Sequence, residues 1–563
     1  MFRLVKFLCL LNSIGFLLAN ENLPKINILQ GDLQGGIGQT LNNRPYYYFT
    51  GIPYAKPPVG WYRFELASPP KPWNDTFDAT RTPPVCIQYE NTKFDKIIGN
   101  EDCLYLNVYT PQLPDGKKAL LPVMFYIGGE QFEFDDSRKE KVGPELLLDK
   151  DVVLVTINYR LGVLGFFVTE DGTVQYNIGL KDQVHALKWV KNNIAHFGGD
   201  PDRITLFGNG AGAASAHYHM LSPLSKNLIN GVIAQSGTVL SLWAYAPIQS
   251  VGIRSRTVAG VVQCPTRESN AVMIKCLKTV KAEDILNATT LLKRDTNVLL
   301  FKPIFERGRE NAFVHLDPID TIKQGEAADV PFLSGINAED GGYEAEVILN
   351  SPNLLEKLNS EFEEIGSWLL YYGITSIVKN RVPTGKKLKE FYFKDYTINH
   401  ATRKELTNLY TDAWFLEGLY LSTELHSKFS KKPVYNYLFG YRGSESHLKF
   451  LTSKKHGACH KDELLYLFKN SVDFPDYVPN ESDKKMIDLM VTLWTNFATY
   501  GNPTPPGSSV PFTWEPVVQG KENYLFIKKN GEAKIEEKML SERSAFWKSL
   551  FVDSRRERIR DEL

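Results

Sequence analysis

The chain has 563 residues, 43% of them apolar and 12% aromatic, and 65 Lys+Arg balance 65 Asp+Glu for a formal net charge of +0. That composition supports a large buried core and excludes a low-complexity or collagen-like chain. The charge balance gives no basis for a nucleic-acid partner or another strongly charged surface, and no internal repeat is visible.

At the N-terminus, Arg3 and Lys6 precede a mostly apolar, uncharged run from Phe7 to Ala19. The run is short for a membrane span and fits a signal peptide over residues 1–19, cut after Ala19. No later stretch is long and apolar enough to cross a membrane. Secretion agrees with the cysteines that remain, Cys86, Cys103, Cys264, Cys276 and Cys459. Local pairing, Cys86–Cys103 and Cys264–Cys276, is the simplest arrangement, and each bridge is worth about 3 kcal/mol on a loop-entropy basis. Cys459 is left over as a free thiol.

Asn74, Asn287 and Asn480 each begin an N-x-S/T triplet and are candidate glycan sites. The chain closes with a charged tail, 553–563, that ends Arg560-Asp561-Glu562-Leu563. This differs at one position from the K-D-E-L retrieval signal. The expected location is therefore the endoplasmic reticulum lumen, held by the retrieval receptor, with secretion as the alternative.

Between these ends, one domain over 20–552 is expected. Ile26 to Leu33, with Gly31 inside, reads as an opening hairpin. Phe49 to Gly60, followed by Arg63-Phe64, is rich in proline and glycine and reads as irregular backbone fixed against the core. Leu121–Ile127 and Asp151–Tyr159 are strongly apolar strands of the kind a parallel sheet buries on both faces. Ile178 to Phe197 has one apolar and one charged face, so it is a helix, stopped by Gly198-Gly199 and Asp200-Pro201.

Arg203–Phe207 is a short buried strand, and Gly208 to Gly212 is a sharp turn into the Ala-rich helix that starts at Ala211. Gly231–Gly237 is the next strand and turn. Residues 265–320 and 350–430 carry mixed helical stretches expected to cap a site. Met486–Tyr500 is a helix with Leu489, Met490, Leu493, Trp494 and Phe497 inward, and Glu522–Lys534 is a hairpin turning at Asn530-Gly531.

Leu206-Phe207-Gly208-Asn209-Gly210-Ala211-Gly212 has the frame of the G-x-S-x-G nucleophile elbow, with Gly210 where the serine belongs. With Phe49–Gly60 and Glu101–Val108 as further signatures, the chain resembles the carboxylesterase/cholinesterase family, insect carboxylesterases especially. The resemblance implies an α/β-hydrolase fold: a large mixed, mostly parallel sheet flanked by helices, with a helical cap over the site. It implies the same two disulfides.

It also assigns the triad positions, in the order nucleophile, acid, histidine. These fall on Gly210, on Asp340 within Gly335–Gly342 (Glu339 being the register alternative), and on His460 within His456–Leu464. The oxyanion-equivalent amides fall on Gly129, Glu130 and Ala211. Where the family reads His-Gly-Gly-Gly/Ala-Phe, this chain reads Gly128-Gly129-Glu130-Gln131-Phe132. Glu130 and Gln131 restrict a backbone that glycine leaves free. A Glu130 carboxylate ~4 Å from a developing oxyanion repels it by a few kcal/mol at an effective dielectric of about 20.

Gly210 carries no nucleophile. Loss of a triad serine costs about 10⁶ in turnover. Ser215 is more than one helical turn away, and Cys459 adjoins His460 in sequence, where neighbouring side chains diverge. The expectation is a non-catalytic carboxylesterase-like protein that binds an apolar small molecule or a protein of the secretory pathway, with neither cofactor nor metal. The alternative is a carboxylic ester hydrolase that uses an unrecognised nucleophile or water activated by His460.

Overall fold

The computed structural model describes residues 23–90, 93–293, 300–371, 381–454 and 456–550. The expected signal peptide and the tail with its retrieval tetrapeptide lie outside the described residues. The chain opens with an antiparallel hairpin, β1 (Lys25–Ile28) and β2 (Gly31–Gln34).

Eleven strands then form one sheet. They are β3 (Gly36–Gln39), β4 (Pro45–Pro53), β5 (Tyr105–Thr110), β6 (Leu121–Ile127), β7 (Val153–Ile157), β8 (Gly199–Asn209), β9 (Gly231–Gln235), β10 (Phe332–Asn337), β11 (Val434–Phe439), β12 (Asn523–Ile527) and β13 (Ala533–Glu537). Their spatial order is β13-β12-β11-β10-β9-β8-β6-β7-β5-β4-β3. The run from β12 to β7 is parallel, and the outer strands on both sides pair antiparallel.

The parallel strands are buried along nearly their whole length. Such strands need helices on both faces. Helices that flank the sheet or border the site include α1 (Ile178–Asn193), α2 (Ala211–Leu221), α3 (Ala282–Lys293), α4 (Gly342–Leu349), α5 (Glu417–Phe429) and α6 (Glu481–Tyr500). The core lies in two layers. One is built around Phe125, Leu206 and Val232, the other around Met124, Phe207 and Ile233 under Trp494 and Phe497 of α6.

The structure shows the α/β-hydrolase architecture, with local differences from the sequence reading. β8 starts at Gly199 rather than Arg203, with an irregularity between Gly199 and Ile204. Gly198 (φ 81°) reverses the chain directly at the sheet, so the segment that stops the helix also pairs with Leu121. Residues 49–53 are not irregular; they complete β4, with a register shift between Phe49 and Ile52 at Gly51 (φ 68°). Leu489 is half-buried rather than inward, whereas Met490, Leu493, Trp494 and Phe497 are buried.

The cap is narrower than 350–430. Its last helix, α5, packs against β10 and β11 and covers the sheet, because both faces of a parallel sheet must be closed. Two distant signature segments meet where the Arg63 Nε and Nη2 groups donate to the two Glu101 carboxylate oxygens, each at 2.6 Å.

Cys86–Cys103 and Cys264–Cys276 are disulfide-bonded, and Cys459 is a buried free thiol. Asn74, Asn287 and Asn480 are all exposed. Asn480 also caps α6, accepting from the Ser482 and Asp483 amides. Among the described residues no helix is long and apolar enough to cross a membrane.

Candidate active site

The parallel strands end on one edge of the sheet, and the loops that leave those strand ends build the site. After β8 the chain turns through Gly210 at φ 58°, ψ −120° into α2. L-residues hold that conformation only under strain, typically 1–3 kcal/mol; glycine holds it freely. The turn is pressed into the sheet: a Cβ on Gly212 would lie 2.0 Å from the Ile127 carbonyl oxygen. The sharp elbow is therefore intact without its usual side chain.

His460 comes from the loop after β11, and its ring faces this turn. A Cβ on Gly210 would lie 3.2 Å from His460 Nε2. His460 Nδ1–H donates to Asp340 Oδ1 at 2.9 Å. Asp340, buried after β10, also accepts at Oδ2 from Ser236 Oγ and from the Asn337 amide, both at 2.8 Å. Phe415 stacks on the imidazole at 4.9 Å. The ring is thus held in one tautomer with Nε2 toward the elbow.

Glu339, the register alternative, does not approach His460. Its amide donates to the Ala458 carbonyl and its Oε2 is buried without a hydrogen bond. The structure therefore brings Asp340, and not Glu339, to the histidine.

A buried carboxylate that carries no sequence signal ties the strand ends together. Glu463 accepts from Asn209 Nδ2 at 2.7 Å, Gln235 Nε2 at 3.0 Å and Asn337 Nδ2 at 2.5 Å, the last residues of β8, β9 and β10. Burial raises its pKa. Burial alone would lower that of His460, but the Asp340 hydrogen bond and the charges of Asp340, Glu463 and Glu344 outweigh it, and the pKa is raised above the ordinary histidine value. Glu344, on α4, is pushed up to about 7 by burial. Acidic groups around one imidazole favour the imidazolium.

The oxyanion-equivalent segment is rebuilt. The Glu130 amide donates to the Phe134 carbonyl at 2.7 Å, and the Phe134 amide returns to the Glu130 carbonyl at 3.1 Å. The Glu130 amide is spent on a local turn in which Gln131 and Phe132 both take left-handed φ values, 57° and 58°. The Gly129 carbonyl accepts from the Gly212 amide at 3.3 Å, and Ala211 stands at the first position of α2.

The Glu130 carboxylate, expected to repel a developing oxyanion, is paired with Lys461, the residue after His460. Burial lowers the Lys461 amine to about 8 against the opposing charges of Asp473 and Glu463. No sequence signal marks this pair, because Glu130 and Lys461 sit on loops far apart in the chain.

The replacement nucleophiles are out of reach. Ser215 is fully buried and accepts from Gln183 Nε2 at 3.3 Å. Cys459 is fully buried, with its sulfur against Ser446 Oγ and the His460 carbonyl, and burial raises its thiol pKa. Among the described residues no cluster of three or more His, Cys, Asp or Glu side chains could hold a metal.

Above the elbow opens a cavity of about 1090 Å³. Its lining includes Leu161, Val163, Trp243, Phe301, Trp414 and Phe415, together with Gly210, His460 and charged residues such as Glu130, Glu133, Lys141, Glu344, Lys357, Lys461 and Asp473. A volume of that size holds a drug-sized or lipid-like molecule with room to spare.

A sequence model of the carboxylesterase family matches residues 22–547. The chain belongs to the carboxylesterase family. It is 36% identical over 506 residues to a carboxylic ester hydrolase of Bombus ignitus, covering 88% of this chain and 89% of that one. It is 35% identical over 553 residues to the juvenile hormone esterase of Tribolium castaneum, covering 93% of each. Among solved structures, the juvenile hormone esterase of Manduca sexta, with OTFP covalently attached, superposes with a TM-score of 0.83 at 27% identity, covering 94% of this chain and 100% of that one.

Proposed function

We propose that this family member is not an esterase but binds an apolar small molecule in the cavity over Gly210. The observation that carries this reading is the combination at the elbow. The backbone turn, the Asp340–His460 pair and a cavity with an aromatic and aliphatic wall are present, while the position that would carry the attacking oxygen has no side chain. Without that oxygen no acyl-enzyme forms by the Ser-His-Asp route. The Glu130 amide spent on Phe134 removes a further source of rate, since one lost oxyanion donor costs about 10²–10³.

Direct activation of water by His460 is weakened by the same geometry that raises its pKa, because less of the ring is neutral base near pH 7. The relatives named for juvenile hormone suggest the kind of ligand: an apolar ester that this chain would hold intact. Two disulfides fit an oxidising compartment, and we place the protein in the secretory pathway, retained by its terminal tetrapeptide.

The test is hydrolysis of a short aryl ester by the purified protein and by His460→Ala, together with binding of a fluorescent apolar probe. No hydrolysis with saturable binding is expected. Hydrolysis that His460→Ala abolishes would overturn the reading in favour of the water route. Absence of both would leave a protein partner as the better account.

A further inference from the structure

Asn287 lies on α3 between residues that line the cavity, Leu286 on one side and Thr289 and Thr290 on the other. At 3.6 residues per turn it sits about 60° around the helix from Thr290, at the edge of the lining face. It is exposed, and its Oδ1 accepts from the hydroxyl of Tyr89, a cavity-lining residue, at 2.7 Å. The candidate glycan acceptor is thus an exposed residue beside the cavity lining, tied by a hydrogen bond to a lining side chain from a distant part of the chain.

N-glycosylation uses the side-chain nitrogen, so the Oδ1 bond to Tyr89 survives it and directs the sugar from the edge of the opening. The two disulfides point to the oxidising lumen where such glycans are added. Asn287 is itself not a lining residue, but its helix neighbours Leu286, Thr289 and Thr290 are, whereas no lining residue lies within two positions of Asn74 or Asn480.

We propose that an N-linked oligosaccharide on Asn287 stands over the cavity mouth and limits how fast molecules reach His460. This holds whether or not the cavity retains a ligand, so it is separable from the binding proposal.

The full chain would be made in insect cells and glycan occupancy mapped by mass spectrometry. The rate of carbethoxylation of His460 by diethylpyrocarbonate would then be followed, peptide by peptide. Occupied Asn287 is expected, with His460 modified several-fold faster in Asn287→Gln. The same acceleration is expected after enzymatic removal of glycans from the unmutated protein, which guards against a folding effect of the substitution. Asn74→Gln, a distant acceptor in a loop, should leave the rate unchanged. An unoccupied Asn287 overturns the proposal. So do equal rates with and without the Asn287 glycan, or an acceleration that Asn74→Gln reproduces.

Discussion

Replacing Gly210 by serine tests the elbow most directly. The new Cβ would stand 3.2 Å from His460 Nε2 and 3.7 Å from the Gly129 carbonyl oxygen. The first contact is tight, so the imidazole must yield by a few tenths of an ångström; it is held by Asp340 on one side and by Phe415 on its face. The backbone remains at φ 58°, ψ −120°, which costs a non-glycine residue about 1–3 kcal/mol. For a domain of this length that is a drop in Tm of about 1–3 °C.

In return the serine oxygen falls within hydrogen-bond reach of Nε2. A restored triad nucleophile is worth about 10⁶. The compromised oxyanion segment subtracts about 10²–10³, so Gly210→Ser should hydrolyse p-nitrophenyl butyrate about 10³–10⁴ faster than the unmodified protein. A stoichiometric burst of p-nitrophenol marks the acyl-enzyme. Adding Glu130→Gly, which frees the turn at 130–134, should raise the rate further. If Gly210→Ser shows the modest loss of Tm but neither burst nor gain in rate, the Asp340–His460 pair is not competent and the reasoning fails.

Four further outcomes are expected. In the Gly210→Ser background, Asp340→Asn should cost about 10⁴ in kcat, because the amide no longer fixes the His460 tautomer; a loss below tenfold would contradict the assigned acid. His219 and His426 should stay neutral in the folded protein at about pH 5.5, read from their ring signals by NMR. His219 and His426 are held neutral by burial, with values pushed down to about 3 and about 4, so below pH 6.5 the unfolded chain takes protons that the folded chain refuses, at about 1.4 kcal/mol per unit and histidine. His460, with its pKa raised, and Glu344 and Glu463, with theirs raised as well, bind protons in the folded chain and oppose this in the net stability. The imidazoles are therefore read directly, and protonation of either one at about pH 5.5 would refute the assignment. Cys459 should resist thiol reagents in the folded protein and react on denaturation, and labelling of the native state would contradict its burial. Deleting Arg560 to Leu563 should release the protein into the medium, and unchanged retention would exclude the tetrapeptide as the retrieval signal.

Much of the site is legible in the chain because its residues sit in local frames. The elbow is contiguous, from Leu206 to Gly212, and a missing side chain at Gly210 is visible without coordinates. His460, and the Glu339-Asp340 step that holds the acid, are placed by the short segments around them. The strands β6 and β7 announce themselves by unbroken apolar runs.

Glu463, Ser236 and Phe415 carry no such signal. Each becomes part of the site only because β8, β9, β10 and β11 end on one edge of the sheet, so that loops far apart in sequence converge there. For the same reason the chain shows Glu130 only as a carboxylate near the oxyanion position, whereas Lys461 stands against it in the fold.

The chain by itself determined the absence of a nucleophile at the elbow, since that depends on residue identity in a contiguous frame, while its resemblance to the family carried the fold and agreed with the simplest disulfide pairing. Only the tertiary structure decided which carboxylate holds His460, that the Glu130 amide is turned onto Phe134, and that Asn287 meets the cavity-lining Tyr89. Those are matters of direction in space, and side chains acquire direction only when the elements that carry them are packed.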